Sequence, residues 1–266
     1  MKIEGSIAIV TGGGSGIGAA LCHALVRAGA GGVVVADIDL EKAEAIASGL
    51  GERAVAAQAD VSRREAVEGL ASLALSRFGR IDLFASNAGI SSGAGVDAPL
   101  DVWQKSWDLN VMAHVHAAHA AIPAMLEQGK GYFLQTLSAA ALVTAPHQAP
   151  YATTKTAALG FAQWLAVTYR DFGIGVSCLC PQAVRTPMYE AAMGNAEQQL
   201  LADGAMEADD VAAVALDGVR NERFLILPHP EVARFFKRRW DDIDGWTAKM
   251  AQYQALAGDP PWPISK

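Results

Sequence analysis

Tyr151 and Lys155 place a phenol and an ammonium four residues apart, a spacing that puts both on one face of a helix. Free tyrosine titrates at a pKa of about 10, too high for a base at neutral pH. Lowering it by two to three units takes about 3–4 kcal/mol of preference for the phenolate. One cation at about 4 Å in a partly shielded site supplies on the order of 4 kcal/mol. Lys155 is therefore expected to do most of this alone, making Tyr151 a group that takes or returns a proton near neutrality. Ser138, thirteen residues upstream, ends an apolar run and offers a hydroxyl that can hold a substrate oxygen. Singly, the three read as a core aromatic, a solvated helix lysine and a loop serine.

The elements that must position these groups recur along the whole chain. Apolar, β-rich runs at Ile7–Val10, Gly32–Ala36, Ala54–Ala59, Ile81–Ala85, Gly131–Leu137, Ile174–Cys180 and Phe224–Leu227 are almost continuously hydrophobic. That pattern predicts a parallel sheet covered on both faces. Between the runs lie helical stripes, including Ile17–Ala28 and Val67–Phe78, with longer helices expected over Leu100–Gln128 and Pro150–Phe172. Regular βα alternation without a linker predicts one doubly wound α/β domain over residues 1–266. The first strand ends in Gly12-Gly-Gly-Ser-Gly-Ile-Gly18 and a helix starts at once. Glycines there allow a tight turn and bring backbone N–H groups toward a pyrophosphate at a helix N-terminus. Asp37, nineteen residues past Gly18 at the end of the second run, can accept both ribose hydroxyls of NAD and would repel the 2′-phosphate of NADP. It also reads as a strand-end turn residue.

In this order the motifs resemble those of the short-chain dehydrogenase/reductase family, over about residues 5–228. Thr11 to Gly18 is similar to its TGxxxGIG cofactor loop, which implies contacts from Gly12, Ser15, Gly16, Ile17 and Gly18. Asp37 and Ile38 follow strand two, Asp60 and Val61 resemble its adenine-contacting pair, and Asn87, Ala88 and Gly89 match its NAG turn. Asn110 falls at its catalytic asparagine; Ser138, Tyr151 and Lys155 match its serine and YxxxK pair. Pro181 to Thr186, with Val184 between, resembles the PGxVxT segment that holds the nicotinamide carboxamide. The resemblance implies a Rossmann-type, seven-stranded parallel sheet with helices on both faces. It implies NAD as cofactor and hydride transfer between nicotinamide and an alcohol or ketone, with Tyr151 as acid/base. Asn110 is implied to kink its helix and anchor a water linking Lys155 to solvent, and Lys155 to hold the nicotinamide ribose. Homodimers or homotetramers through the two long helices are the family's usual assembly. Two rivals are a β-ketoacyl or polyketide carbonyl reductase preferring NADPH, which Asp37 opposes, and a silent NAD-sensing protein, which needs no intact catalytic set.

The chain departs from the family at Gln182, which replaces a glycine after Pro181 and brings a side chain toward the pocket. Ala140, His147, Gln148, Gln182 and Met188 are expected to face substrate, His147 and Gln148 having a surface-loop reading besides. Residues 186–206 correspond to the family's substrate lid. The surroundings of Ser138 are apolar, and no Arg or Lys except Arg185 is evident there, which points to a small-to-medium, uncharged apolar alcohol or ketone. Residues 229–266 exceed the usual family end. Val232, Phe235, Phe236, Trp240, Ile243, Trp246, Met250 and Tyr253 recur every three or four positions, giving an apolar helical face that must be covered. It is expected to pack on its own domain, to cover the substrate cleft, or to cross to a partner subunit. Pro260 to Pro263 is expected to form an extended tail.

Composition narrows the function classes. A net charge of −7 over 266 residues gives nucleic acid no electrostatic footprint. Cys22, Cys178 and Cys180 lack zinc or redox spacing and read as core thiols. His116 and His119 could share a metal by spacing alone, yet no nearby Cys, Asp or Glu completes a set, so no metal is expected. No apolar run is long enough to span a bilayer and none resembles a signal region, so a cytoplasmic setting without membrane attachment is expected.

Overall fold

The computed structural model describes residues 1–192 and 204–256. Its strands are β1 (Ile7–Thr11), β2 (Gly32–Asp37), β3 (Ala54–Gln58), β4 (Leu83–Ser86), β5 (Gly131–Thr136), β6 (Ile174–Leu179), β7 (Val184–Arg185), β8 (Met206–Glu207) and β9 (Leu225–Ile226). Seven of them form one parallel sheet in the order β3-β2-β1-β4-β5-β6-β9. β7 pairs with β8 apart from it. Successive residues of each inner strand bury on opposite sides: Ile9, Phe84 and Phe133 join one core, Val10, Leu83 and Leu134 the other. This is why the strands read as unbroken apolar runs.

The fourth run starts two residues later than its hydrophobicity suggests. Side chains occupy the backbone there: Gln128 Oε1 accepts from the Ile81 amide at 3.0 Å, and Asp82 Oδ2 accepts from the Ile7 amide at 2.9 Å. The last strand is likewise shorter than Phe224–Leu227, since β6 reaches it with only Cys178 and Leu179.

Helices α1 (Gly16–Arg27), α2 (Leu40–Leu50), α3 (Arg64–Phe78), α4 (Leu100–Trp107), α5 (Ala113–Glu127), α6 (Ala140–Val143), α7 (Ala149–Tyr169) and α8 (Pro187–Ala192) connect the strands. The long helix expected over Leu100–Gln128 is two helices joined by a π-turn at Asp108–Met112. Three further helices, Ala208–Arg220, Glu231–Asp241 and Ile243–Leu256, follow. No described helix is long and apolar enough to cross a membrane. The proline-rich stretch Pro260 to Pro263, and the part of the expected lid from 193 to 203, lie outside the described residues.

The C-terminal stripe is only partly covered. Val232 and Trp246, the latter 5 % exposed, belong to the core. Trp240 is 83 % exposed and Ile243 is half-exposed. The chain turns at Asp242, whose Oδ1 accepts from the Gly245 amide at 2.9 Å. One continuous helix would have carried the stripe through; two helices meeting at a bend leave the residues beside it outside.

Candidate active site

The glycine loop is shaped by backbone sterics. Gly12 and Gly16 have φ of +63° and +51°, in the region that only glycine adopts without cost. A β-carbon on Gly18 would overlap the Gly12 carbonyl, and one on Gly16 would meet Thr186 Cγ2 at 2.9 Å. The loop therefore packs directly on the helix it starts and on the Pro181–Thr186 segment. Asp37 closes the outer side. Its Oδ2 accepts from the Gly14 amide at 2.9 Å and its Oδ1 from the Asp39 amide at 3.1 Å. Asn87 ties strand four to strand one, donating from Nδ2 to the Thr11 carbonyl at 3.0 Å, while Thr11 Oγ1 accepts from the Asn87 and Ala88 amides. The cradle presents backbone and small residues where a dinucleotide's phosphates need close approach, so it fits such a group.

A cavity of about 780 Å³ opens from this cradle. Of the expected cofactor and catalytic residues it brings together Gly12, Ser15, Gly16, Ile17, Asn87, Ala88, Gly89, Ser138, Tyr151, Lys155, Pro181, Val184 and Thr186. Ala140, Gln148, Gln182 and Met188 also line it. Gly18, Asp37, Ile38, Asp60, Val61 and Asn110 lie outside the wall. Asp60 Oδ1 accepts from the Ser62 hydroxyl at 2.6 Å, Ile38 is exposed and Val61 is buried.

Tyr151 and Ser138 face each other on the cavity wall, near enough for the Ser138 hydroxyl to act on the phenol, and the Ser138 hydroxyl oxygen accepts from the Ala140 amide at 3.1 Å. Burial pushes the phenol above its ordinary value; the Ser138 hydroxyl opposes this without reversing it. The expectation that Lys155 does most of the lowering of Tyr151 is thus not met by the protein's own groups. The ammonium donates to the Thr136 carbonyl at 3.1 Å and stands 5.7 Å from the centre of the Tyr151 ring. At that range, and committed to a sheet carbonyl, it does not offset the desolvation. Lys155 itself is pushed down to about 8 by burial.

Asn110 sits in the π-turn with both ends of its amide in use. Oδ1 accepts from the Ile90 amide at 3.0 Å, and Nδ2 donates to the Ile90 carbonyl and to Thr154 Oγ1 at 3.0 and 3.1 Å. A β-carbon on Gly89 would meet Asn110 Oδ1 at 2.9 Å and Lys155 Nζ at 3.3 Å, so that glycine lets strand four, the π-turn and α7 converge.

Behind this junction the core holds polar groups without partners among the described residues. His114 is fully buried, both ring nitrogens lack a partner among the described residues, and burial pushes it down to about 3. The Gln135 amide and the Ser86 and Thr136 hydroxyls are likewise buried and unpartnered. Only burial is legible from such residues by type, and their apolar neighbours masked it. His116 and His119, on the same helix as His114, have separate partners: His116 Nδ1 meets the Val61 carbonyl at 3.2 Å, and His119 lies against Arg64 and Glu68. No metal-binding group forms among the described residues. The three cysteines are buried, with thiols pushed up by desolvation.

Two substrate-side expectations need correction. His147 does not line the cavity. It adopts φ +58°, its amide donates to Gln254 Oε1 at 3.1 Å, and its ring meets the Gln254 carbonyl and Nε2 at 3.3 and 2.7 Å. It fastens the loop before α7 to the last described helix. Arg185 is not in the cavity either, being paired with Glu207 at 3.0 Å. Arg238 and Lys249 line it instead, with Phe235, Trp246, Met250 and Tyr253. The C-terminal helices are therefore both core and cavity wall. Trp246 Nε1 donates to the Val143 carbonyl at 3.2 Å and Arg239 to the Leu142 carbonyl at 3.1 Å, which moors them to α6. Periodicity marked those helices as apolar; nothing local said where they would dock.

Comparison with known proteins agrees with this geometry. The family model for short chain dehydrogenase matches residues 6–196. A 1-deoxy-11-beta-hydroxypentalenate dehydrogenase of Streptomyces exfoliatus is 34% identical over 250 residues, covering 91% of this chain and 90% of that protein. A 2,5-dichloro-2,5-cyclohexadiene-1,4-diol dehydrogenase of Sphingobium indicum is 39% identical over 197 residues, covering 73% and 78%. Among solved structures, a short chain dehydrogenase/reductase from Burkholderia phymatum in complex with NAD superposes with a TM-score of 0.83 at 28% identity, over 98% of this chain and 99% of that one.

Proposed function

Because this chain belongs to the short chain dehydrogenase family, an oxidoreductase family with dehydrogenase relatives, we propose that it oxidises a secondary alcohol with a largely apolar body to the ketone, using NAD+, and runs the reverse reduction. Bound nicotinamide supplies the hydride acceptor: the carbinol carbon loses hydride, the hydroxyl loses its proton, and C=O forms. The chain's own residues handle that proton. Tyr151 and Ser138 stand close together on the lining of the cavity, so both can address a single substrate oxygen. Ser138 holds it while Tyr151 takes the proton in oxidation and returns it in reduction. Lys155, still largely cationic at neutral pH with its value near 8, keeps positive charge beneath the phenol. Asn110 holds the Ile90 backbone and the Thr154 hydroxyl, and so positions that charge.

The Tyr151–Ser138 pair, at the edge of a cradle built for backbone approach to phosphates, carries the reading. Asp37 favours NAD+, because its carboxylate faces the loop and would repel a 2′-phosphate. Ala140, Val143, Met188, Phe235, Trp246 and Met250 make the substrate side apolar. The relatives above are named for dehydrogenation of a hydroxy compound and a cyclohexadiene diol, which agrees with an alcohol. A panel of cyclic and aryl-alkyl secondary alcohols, assayed with NAD+ and with NADP+ by absorbance of the reduced cofactor, tests this. Turnover with NAD+ that vanishes in Tyr151→Phe is expected. Activity surviving that substitution, or a preference for NADP+, would overturn the corresponding part.

A further inference from the structure

The cavity's charge is one-sided. Lys155, Arg238 and Lys249 line it, and among the described residues no Asp or Glu does, in a chain whose 28 acidic residues outnumber its 21 basic ones. Lys155 is 3 % exposed and committed to the Thr136 carbonyl. Arg238 and Lys249 are exposed residues lining the cavity, and neither side chain carries an ion pair or hydrogen bond among the described residues. Their neighbours do: Lys237 pairs with Asp241 at 2.6 Å and Arg239 donates to the Leu142 carbonyl. The two uncommitted cations come from different helices, Glu231–Asp241 and Ile243–Leu256. Phe235, Trp246, Met250 and Tyr253 line the cavity with them, so an anion arriving there meets charge beside partly apolar walls, where attraction is screened less than on an open surface.

We propose that the substrate is a hydroxy acid anion whose carboxylate is held by Arg238 and Lys249 while its hydroxyl lies at Ser138 and Tyr151. The guanidinium fork suits a carboxylate's two oxygens and the ammonium adds a point charge. The hydroxyl half of this statement rests on the dehydrogenase reading; the carboxylate half does not. A second source of negative charge is the diphosphate of the dinucleotide. The helices bearing the two cations are moored to Leu142 and Val143, on the Ser138 side rather than on the glycine loop, which favours the substrate.

The test uses the full chain saturated with NADH and two probes, 4-hydroxycyclohexanecarboxylate and its methyl ester, titrated by calorimetry. The acid is expected to bind about tenfold tighter than the ester, a ratio that falls toward one in Arg238→Gln/Lys249→Gln and with rising ionic strength. Equal binding of the two probes by the unaltered protein, no binding of the acid, or a ratio that survives the double substitution overturns the inference. So does a double variant whose loss lies in NADH affinity instead, which assigns the cations to the diphosphate. The unaltered protein's ratio and its salt dependence stand even if the variant misfolds. Oxidation of the acid by NAD+ is then assayed separately: acid-selective binding without oxidation leaves the carboxylate site intact and breaks the dehydrogenase reading.

Discussion

The two ends of the cavity are built by different means. The cradle end has its shape set by backbone and close approach to it: Gly18 against the Gly12 carbonyl, Gly16 against Thr186, Asn87 on the Thr11 carbonyl. The substrate end comes from side chains on segments far apart, with His147 gripping Gln254 across 107 positions and Trp246 reaching the Val143 carbonyl across 103. A backbone-built surface has no atom to spare. A wall of side chains can be rebuilt one residue at a time. In such a molecule the cofactor end resists change and the substrate end adapts.

The largest effect is expected where the ends meet. Tyr151→Phe should lower kcat for alcohol oxidation by about 10³-fold, while the dissociation constant for NAD+, followed by fluorescence titration, stays within about twofold. If both fall together, the ends are not separable. Next is Gly18→Ala. The added methyl overlaps the Gly12 carbonyl, so NAD+ affinity should drop by about 100-fold, the scale of a 2–3 kcal/mol strain. Met250→Ala, a single substitution at the other end, should move only substrate KM, by less than about tenfold. Comparable losses of NAD+ affinity in both variants would erase the contrast.

A smaller effect tests the layer beneath both ends. His114 is pushed down to about 3 from an ordinary 6.5, so below pH 6.5 the unfolded chain binds a proton that the fold refuses. Its contribution is intact above that pH and is lost as pH falls toward 3. Between pH 7 and pH 5 the loss is about 2 kcal/mol. Denaturant titrations at the two pH values should show this loss flattened in His114→Leu. An unchanged difference would mean that the cavity floor admits the charge. The smallest effect is Asp37→Ala, which should raise the NADP+/NAD+ ratio of kcat/KM by about tenfold; no change would remove Asp37 from cofactor choice.

Tyr151 also has a direction with pH. Burial raises it, and the basic form is the one that accepts the substrate proton. Oxidation should therefore accelerate as pH rises into the alkaline range, and reduction, which needs the phenol, as pH falls.

The glycine loop, Asp37, the NAG turn and the Tyr151/Lys155 pair are legible in the chain because local sterics and helical spacing fix them wherever the domain folds. Parallel order is legible for the same reason, from runs that are apolar on both faces. The electrostatics of the pair are not: the ammonium's distance and its commitment to the Thr136 carbonyl depend on β5 lying beside α7. Nor are the roles of Arg238, Lys249 and His147, which appear in sequence as a basic helix face and a loop histidine. Sequence by itself determined the glycine turn with its following helix and the one-turn spacing of Tyr151 and Lys155, since those rest on local sterics and helical geometry. Only the tertiary structure decided what forms the far wall of the cavity, because that wall forms when helices eighty or more residues downstream of Tyr151 dock on α6, and no short-range preference encodes such a meeting.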